Sequence, residues 1–141
     1  MNVVSFKHLI LLFISLFFIK LTAAQENTLS NCESYLTSGF VSDGQEYKAT
    51  LNENNKAKFY TTFYGGSQYR LIGCTDVKEY PLIMSVYDSE KNLLYCNKNY
   101  NYTPYWNFTF TSTIDCIIEL EFDTEKRLTN EVLLLIGFKE K

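Results

Sequence analysis

From Tyr47 onward, apolar residues recur at every second position, and this constrains the fold more than any other feature of the chain. Tyr47, Ala49 and Leu51 alternate with polar neighbours, as do Ala57, Phe59 and Phe63. The same pattern returns in Trp106, Phe108 and Phe110, and in Cys116, Ile118, Leu120 and Phe122. A period of two sends alternate side chains to opposite faces, which is the signature of half-buried strands. Leu82 to Tyr87 and Val132 to Phe138 are apolar on both faces and read as more deeply buried strands.

Turn residues punctuate these runs. Asn52-Glu53-Asn54-Asn55 marks one turn and Asp88-Ser89-Glu90-Lys91-Asn92 another, the latter folding 82–87 against Leu93-Leu94-Tyr95-Cys96 as a hairpin. Gly65-Gly66 has the spacing of a tight turn, so 57–74 is expected to form a second antiparallel hairpin. Near the start, Ser30-Asn31-Cys32-Glu33 fits a capping box, and Gly39 offers a stop, predicting one short helix over 30–38. No further helix follows, which excludes a parallel α/β fold. About eight short strands joined by turns predict a mainly β domain, an antiparallel two-sheet β-sandwich of jelly-roll type.

Ahead of this domain, Lys7, an apolar run from Leu9 to Ile19, and the small residues Thr22, Ala23 and Ala24 read as a secretory signal peptide over 1–24. The run is shorter than the roughly 20 residues a spanning helix needs. No transmembrane segment is therefore expected in the mature chain, and export to a periplasm or the medium follows. Removing 24 of the 141 residues leaves 117, the size of one domain. Lys7 and Lys20 leave with the peptide, so 11 basic residues face 16 acidic ones. That balance argues against nucleic acid as a partner.

Cys32, Cys74, Cys96 and Cys116 all fall in the mature part, and an even count in an exported chain suggests two disulfides. Four cysteines allow three pairings. Placement in strand-like segments favours Cys74 with Cys116, leaving Cys32 with Cys96; free buried thiols are the alternative.

The single histidine, His8, lies in the expected signal peptide. Its loss removes Ser-His-Asp and Cys-His catalysis and every His-ligated metal site from the mature chain. Catalysis would fall to carboxylates. Glu119 and Glu121 share a strand face about 7 Å apart, but apolar residues on the opposite face make them a solvent-facing pair rather than a glycosidase dyad. Asp43, Asp76 and Asp88 read as turn formers, without calcium-loop spacing. No enzyme activity, cofactor or metal is expected.

One stretch is unusual. Between Tyr95 and Trp106 aromatics interleave with amides, a mixture that suits carbohydrate: rings stack on sugar faces while amides take up hydroxyls. Tyr100, Tyr102, Tyr105 and Trp106 are its candidate ligand-binding residues; the competing reading is that they cap the open end of the sandwich. Asn101-Tyr102-Thr103 and Asn107-Phe108-Thr109 match the glycosylation sequon, and no role is assigned to them.

Several short stretches carry a likeness: Ser42-Asp43-Gly44-Gln45, Thr62-Phe63-Tyr64-Gly65-Gly66 with Tyr69-Arg70, Ser85-Val86-Tyr87-Asp88, Pro104-Tyr105-Trp106-Asn107-Phe108, and Leu134-Leu135-Ile136-Gly137-Phe138. Together they resemble an uncharacterised family of small exported proteins of Gram-negative bacteria, over most of 30–139. The order of glycine turn, tyrosine strand, aspartate turn and aromatic strand is more loosely similar to the pre-peptidase C-terminal type of β-sandwich in secreted proteases. That similarity implies a non-catalytic accessory or binding module and supplies no catalytic residues. The expected function is an exported binding or structural module for an envelope protein, with carbohydrate recognition as the alternative.

Overall fold

The computed structural model describes residues 31–139, so the expected signal peptide and the capping residue Ser30 lie outside the described residues. The strands are β1 (Val41–Ser42), β2 (Tyr47–Thr50), β3 (Lys56–Phe63), β4 (Gln68–Cys74), β5 (Leu82–Asp88), β6 (Leu93–Cys96), β7 (Tyr105–Thr109), β8 (Ile114–Phe122) and β9 (Glu131–Lys139). They form two antiparallel sheets. In the first, β9 pairs with β1, β2 and β4, and β4 pairs with β7; the second runs β3-β8-β5-β6. This order is that of a jelly-roll β-sandwich.

The period of two decides which side chains meet. Leu71, Trp106, Val132, Leu134 and Ile136 of the first sheet face Phe59, Phe63, Met84, Val86, Ile118 and Leu120 of the second, and these residues belong to one core. The chain changes sheet at nearly every connection. Of the consecutive strands only β5 and β6 pair, with a bulge at Val86/Tyr87, which agrees with the expected hairpin over the Asp88 turn.

The hairpin expected across Gly65-Gly66 does not form. β3 pairs with β8 and β4 with β7 and β9, so this turn is a corner between the sheets. Both strands carry an apolar face that must reach the same core from opposite sides, and a hairpin would set those faces side by side in one layer. Gly65 is needed for the corner: a Cβ there would stand 2.8 Å from the Thr111 carbonyl oxygen and 2.9 Å from Ser112 Cα.

The N-terminal helix also ends earlier than expected. Residues 31–33 are helical, the turn ends by Tyr35, and the chain then runs as an irregular strap to Phe40. Arg70 explains the stop. Its Nη1 donates to the Tyr35 carbonyl (2.7 Å) and to Thr37 Oγ1 (3.0 Å), occupying the peptide region that would otherwise extend the helix. Ser38 and Gly39 then take left-handed conformations and turn the chain into β1. The strap lies on the outer face of the first sheet, where Cys32 packs on Ile72, Leu133 and Leu135 with Tyr35, Leu36 and Tyr105 at the margin.

The disulfide pairing differs from the sequence expectation. Cys32 bonds to Cys74, while Cys96 and Cys116 are free thiols. Strand parity is the reason: Gly73 of β4 faces the core, so Cys74 points outward to the strap, whereas Cys116 of β8 points inward.

Candidate functional site

The Tyr95–Trp106 stretch joins β6 of the second sheet to β7 of the first. It begins with the 3-10 turn Asn97–Tyr100, and left-handed Asn101 and Tyr102 redirect it into β7. Buried Asn97 fixes this connection. Its Oδ1 accepts from Met84 N (2.9 Å), and its Nδ2 donates to the Leu82 (3.0 Å) and Thr103 (3.1 Å) carbonyls. An amide fully satisfied in this way holds the loop on the end of β5.

The four candidate residues do not form one platform. Leu71 is in register with Trp106 and Ile72 with Tyr105, so Trp106 faces the inter-sheet core and Tyr105 the outer face of the first sheet. Tyr105 rests instead against Tyr35, with ring centroids 5.5 Å apart, and under the Arg70 guanidinium. Tyr102 is drawn away to Asp123, to which its hydroxyl donates; Lys98 completes the group at 3.1 Å from Asp123. The hydrogen bond from Tyr102, joined by that from Lys98, holds the Asp123 carboxyl below its ordinary range.

Only Tyr100 and Trp106 come together, with centroids 4.5 Å apart, and a third ring joins them. Tyr95 lies 4.9 Å from Trp106 and 5.5 Å from Tyr100, near-parallel to both, and meets Phe108 edge-on at 5.4 Å. The cluster closes the long side of the sandwich where β6 lies over β7. Phe108 and Phe110, partly buried, continue it as a row of rings to Phe63 in the core. Most ring faces are thus spent on one another, and Tyr100, half exposed, keeps one side open.

Tyr95 was not among the residues the sequence singled out as binding. It is only 6% exposed, and its hydroxyl has no hydrogen-bond partner among the described residues. Burial, followed by Tyr100 and Cys96, pushes its pKa up to about 12. Strand β6 turns Tyr95 inward, and no local sequence signal shows that the hydroxyl lacks a partner. Next to it Leu93 and Leu94 of β6 are exposed, so an apolar strip borders the ring cluster.

The carboxylates are committed elsewhere. Glu119 accepts from Lys56 (3.1 Å) and Lys58 (3.0 Å), and Glu121 lies 3.1 Å from Lys56. Burial works to raise the Glu119 carboxyl, but the two lysines outweigh it and hold it below the usual range. A general acid would need the opposite shift. Asp88 accepts from Glu90 N, Asn92 N and Asn92 Nδ2, and Asp43 from Gln45 N and Tyr47 Oη, both in turns. Among the described residues no three His, Cys, Asp or Glu side chains gather where a metal could be held, and no helix is long and apolar enough to cross a membrane.

The chain matches no protein-family model and no curated protein.

Proposed function

We propose that this chain is an exported, non-catalytic β-sandwich module that binds a protein of the cell envelope along the open β6 edge. The observation that carries this reading is the strip formed by exposed Leu93, Leu94 and Tyr100, on a short edge strand backed by the Tyr95–Trp106 stack. Apolar side chains on a rigid edge suit an aromatic-anchored protein contact. Export is supported by the apolar leader and by the Cys32–Cys74 bond, which persists in oxidising compartments. A non-catalytic role is supported by a Glu119 carboxyl held low by Lys56 and Lys58 and by a Cys116 thiol that burial pushes up to about 11.

Carbohydrate is the second reading, favoured by one observation: Tyr95, whose hydroxyl has no partner among the described residues, stacks on Tyr100, a ring with an open side. A photo-cross-linker at Leu94, with a control at Glu125, tests the first reading in the producing cell. One envelope protein captured at Leu94 only, and lost in Tyr100→Lys, is expected. A glycan-array hit abolished by Tyr100→Ala, with no protein captured, would replace that reading with the second.

A further inference from the structure

We infer that the opposite edge of the second sheet, β3, pairs with β3 of a second copy of this chain around a two-fold axis through Tyr60. The backbone supplies the first argument. Lys56 N donates to Asn52 Oδ1 (3.0 Å) and Lys56 O accepts from Asn52 N (2.9 Å), so both peptide groups of Lys56 point away from β8. A strand residue sends its N–H and C=O to the same side and the next residue sends them to the other. The register of β3 on β8 has no bulge, so Lys58, Tyr60 and Thr62 also direct their peptide groups outward. Tyr64 obeys the same parity, its N–H turning from β8 to the Tyr69 hydroxyl (3.0 Å). Among the described residues Lys58, Tyr60 and Thr62 have no backbone partner on that side, and β3 ends its sheet.

The usual guards of an edge are missing or engaged. β3 contains no proline and no bulge, and its two lysines are drawn back over β8 by Glu119 and Glu121. Instead the edge presents Tyr60, 71% exposed, beside Ile117.

Charge and symmetry select a second copy as the occupant. Antiparallel pairing centred on Tyr60 sets Tyr60 against Tyr60 of the second copy, and Lys58 against its Thr62. Thr62 is in register with Asp115 and donates to it (2.6 Å). Across the joined sheets the side chains then read Glu119, Lys58, Thr62, Asp115, which leaves each lysine between carboxylates of both copies. The central row reads Ile117, Tyr60, Tyr60, Ile117 and is apolar. No like charges oppose, and about six inter-chain backbone hydrogen bonds become available. The interface is isologous and closed, so it ends at a dimer.

Sedimentation of the full mature chain up to about 1 mM tests the pairing. A concentration-dependent dimer is expected. Thr62→Pro removes one outward N–H without touching the backbone bonds to β8, and Tyr60→Lys sets like charges across the axis; each should weaken dimerisation roughly tenfold or more. Unchanged thermal unfolding at low concentration would show that both variants are folded. In a Cys96→Ser background, Tyr60→Cys should oxidise to a covalent dimer, because the pair sits about 5.5 Å apart at Cα, and Tyr64→Cys should not. A chain that stays monomeric throughout, a dimer indifferent to both edge variants, or cross-linking at position 64 rather than 60 would overturn the inference.

Discussion

The guanidinium of Arg70 lies 4.3 Å from the ring centroid of Phe40 and 4.5 Å from that of Tyr105, in the outer layer between the strap and the first sheet. It is 4% exposed and, among the described residues, makes no ion pair. Its charge is satisfied by neutral acceptors: Asn107 Oδ1 at 2.7 Å, the Tyr35 carbonyl and Thr37. Arg70→Met should cost about 2–4 kcal/mol, since it strands these acceptors and empties the space against two rings. Arg70→Lys should recover little of the loss, because an ammonium cannot reproduce the planar fork. Urea unfolding of both variants measures this, and a lysine variant of wild-type stability would contradict the fork argument.

The Cys32–Cys74 bond closes a separation of 42 residues, which chain entropy values at about 4 kcal/mol. Cys32→Ser with Cys74→Ser should lower stability by roughly that amount. In the intact protein, thiol titration should find Cys96 reacting while Cys116, buried and with its thiol pushed up to about 11, reacts only on unfolding. Fast reaction of both thiols under native conditions would refute the assignment.

Because Glu119 has a lower pKa folded than its ordinary 4.5, it favours folding at neutral pH and loses that contribution as pH falls below that value. Glu119→Gln should therefore flatten the acid side of the stability profile while leaving its slope near neutrality alone. A double-mutant cycle with Lys56→Met should give a coupling of about 1 kcal/mol, reduced by salt. An unchanged profile between pH 5 and about 2 would show that the pair is idle in solution.

Tyr95→Phe deletes a buried hydroxyl that has no partner among the described residues, so stability should stay within about 0.5 kcal/mol of wild type or rise. Trp106→Ala, which opens the ring stack at the edge of the core, should cost about 2–3 kcal/mol. Calorimetry on the two variants separates them. A clear loss in Tyr95→Phe would reveal a partner for the hydroxyl in solution.

Most of the architecture was legible from period two alone. Ile118, Leu120 and Phe122 are buried as the alternation requires, and the Asp88 turn carries the expected hairpin. What failed was long-range parity. Alternation says that Cys74 and Cys116 lie in strands but not that their sheets turn them to opposite sides of a layer. The same blindness grouped Tyr105 with Trp106, although adjacent residues of a strand necessarily part company. Gly65-Gly66 looked like a hairpin because a corner between sheets and a hairpin use the same residue; only Thr111 and Ser112, 46 and 47 positions after Gly65, distinguish them. The two-residue β1 was missed because Val41-Ser42 is too short to show a period.

The covalent tie at Cys32 also decides how the domain would bear load. β1 and β2 hold only the flank of β9, and a pull applied ahead of the strap would ordinarily peel them off one rung at a time. With Cys32 bonded to Cys74, tension arriving from that side passes directly into β4, which is clasped between β7 and β9. The rungs on both flanks of β4 then share the load, so the bond turns a zipper into an anchor.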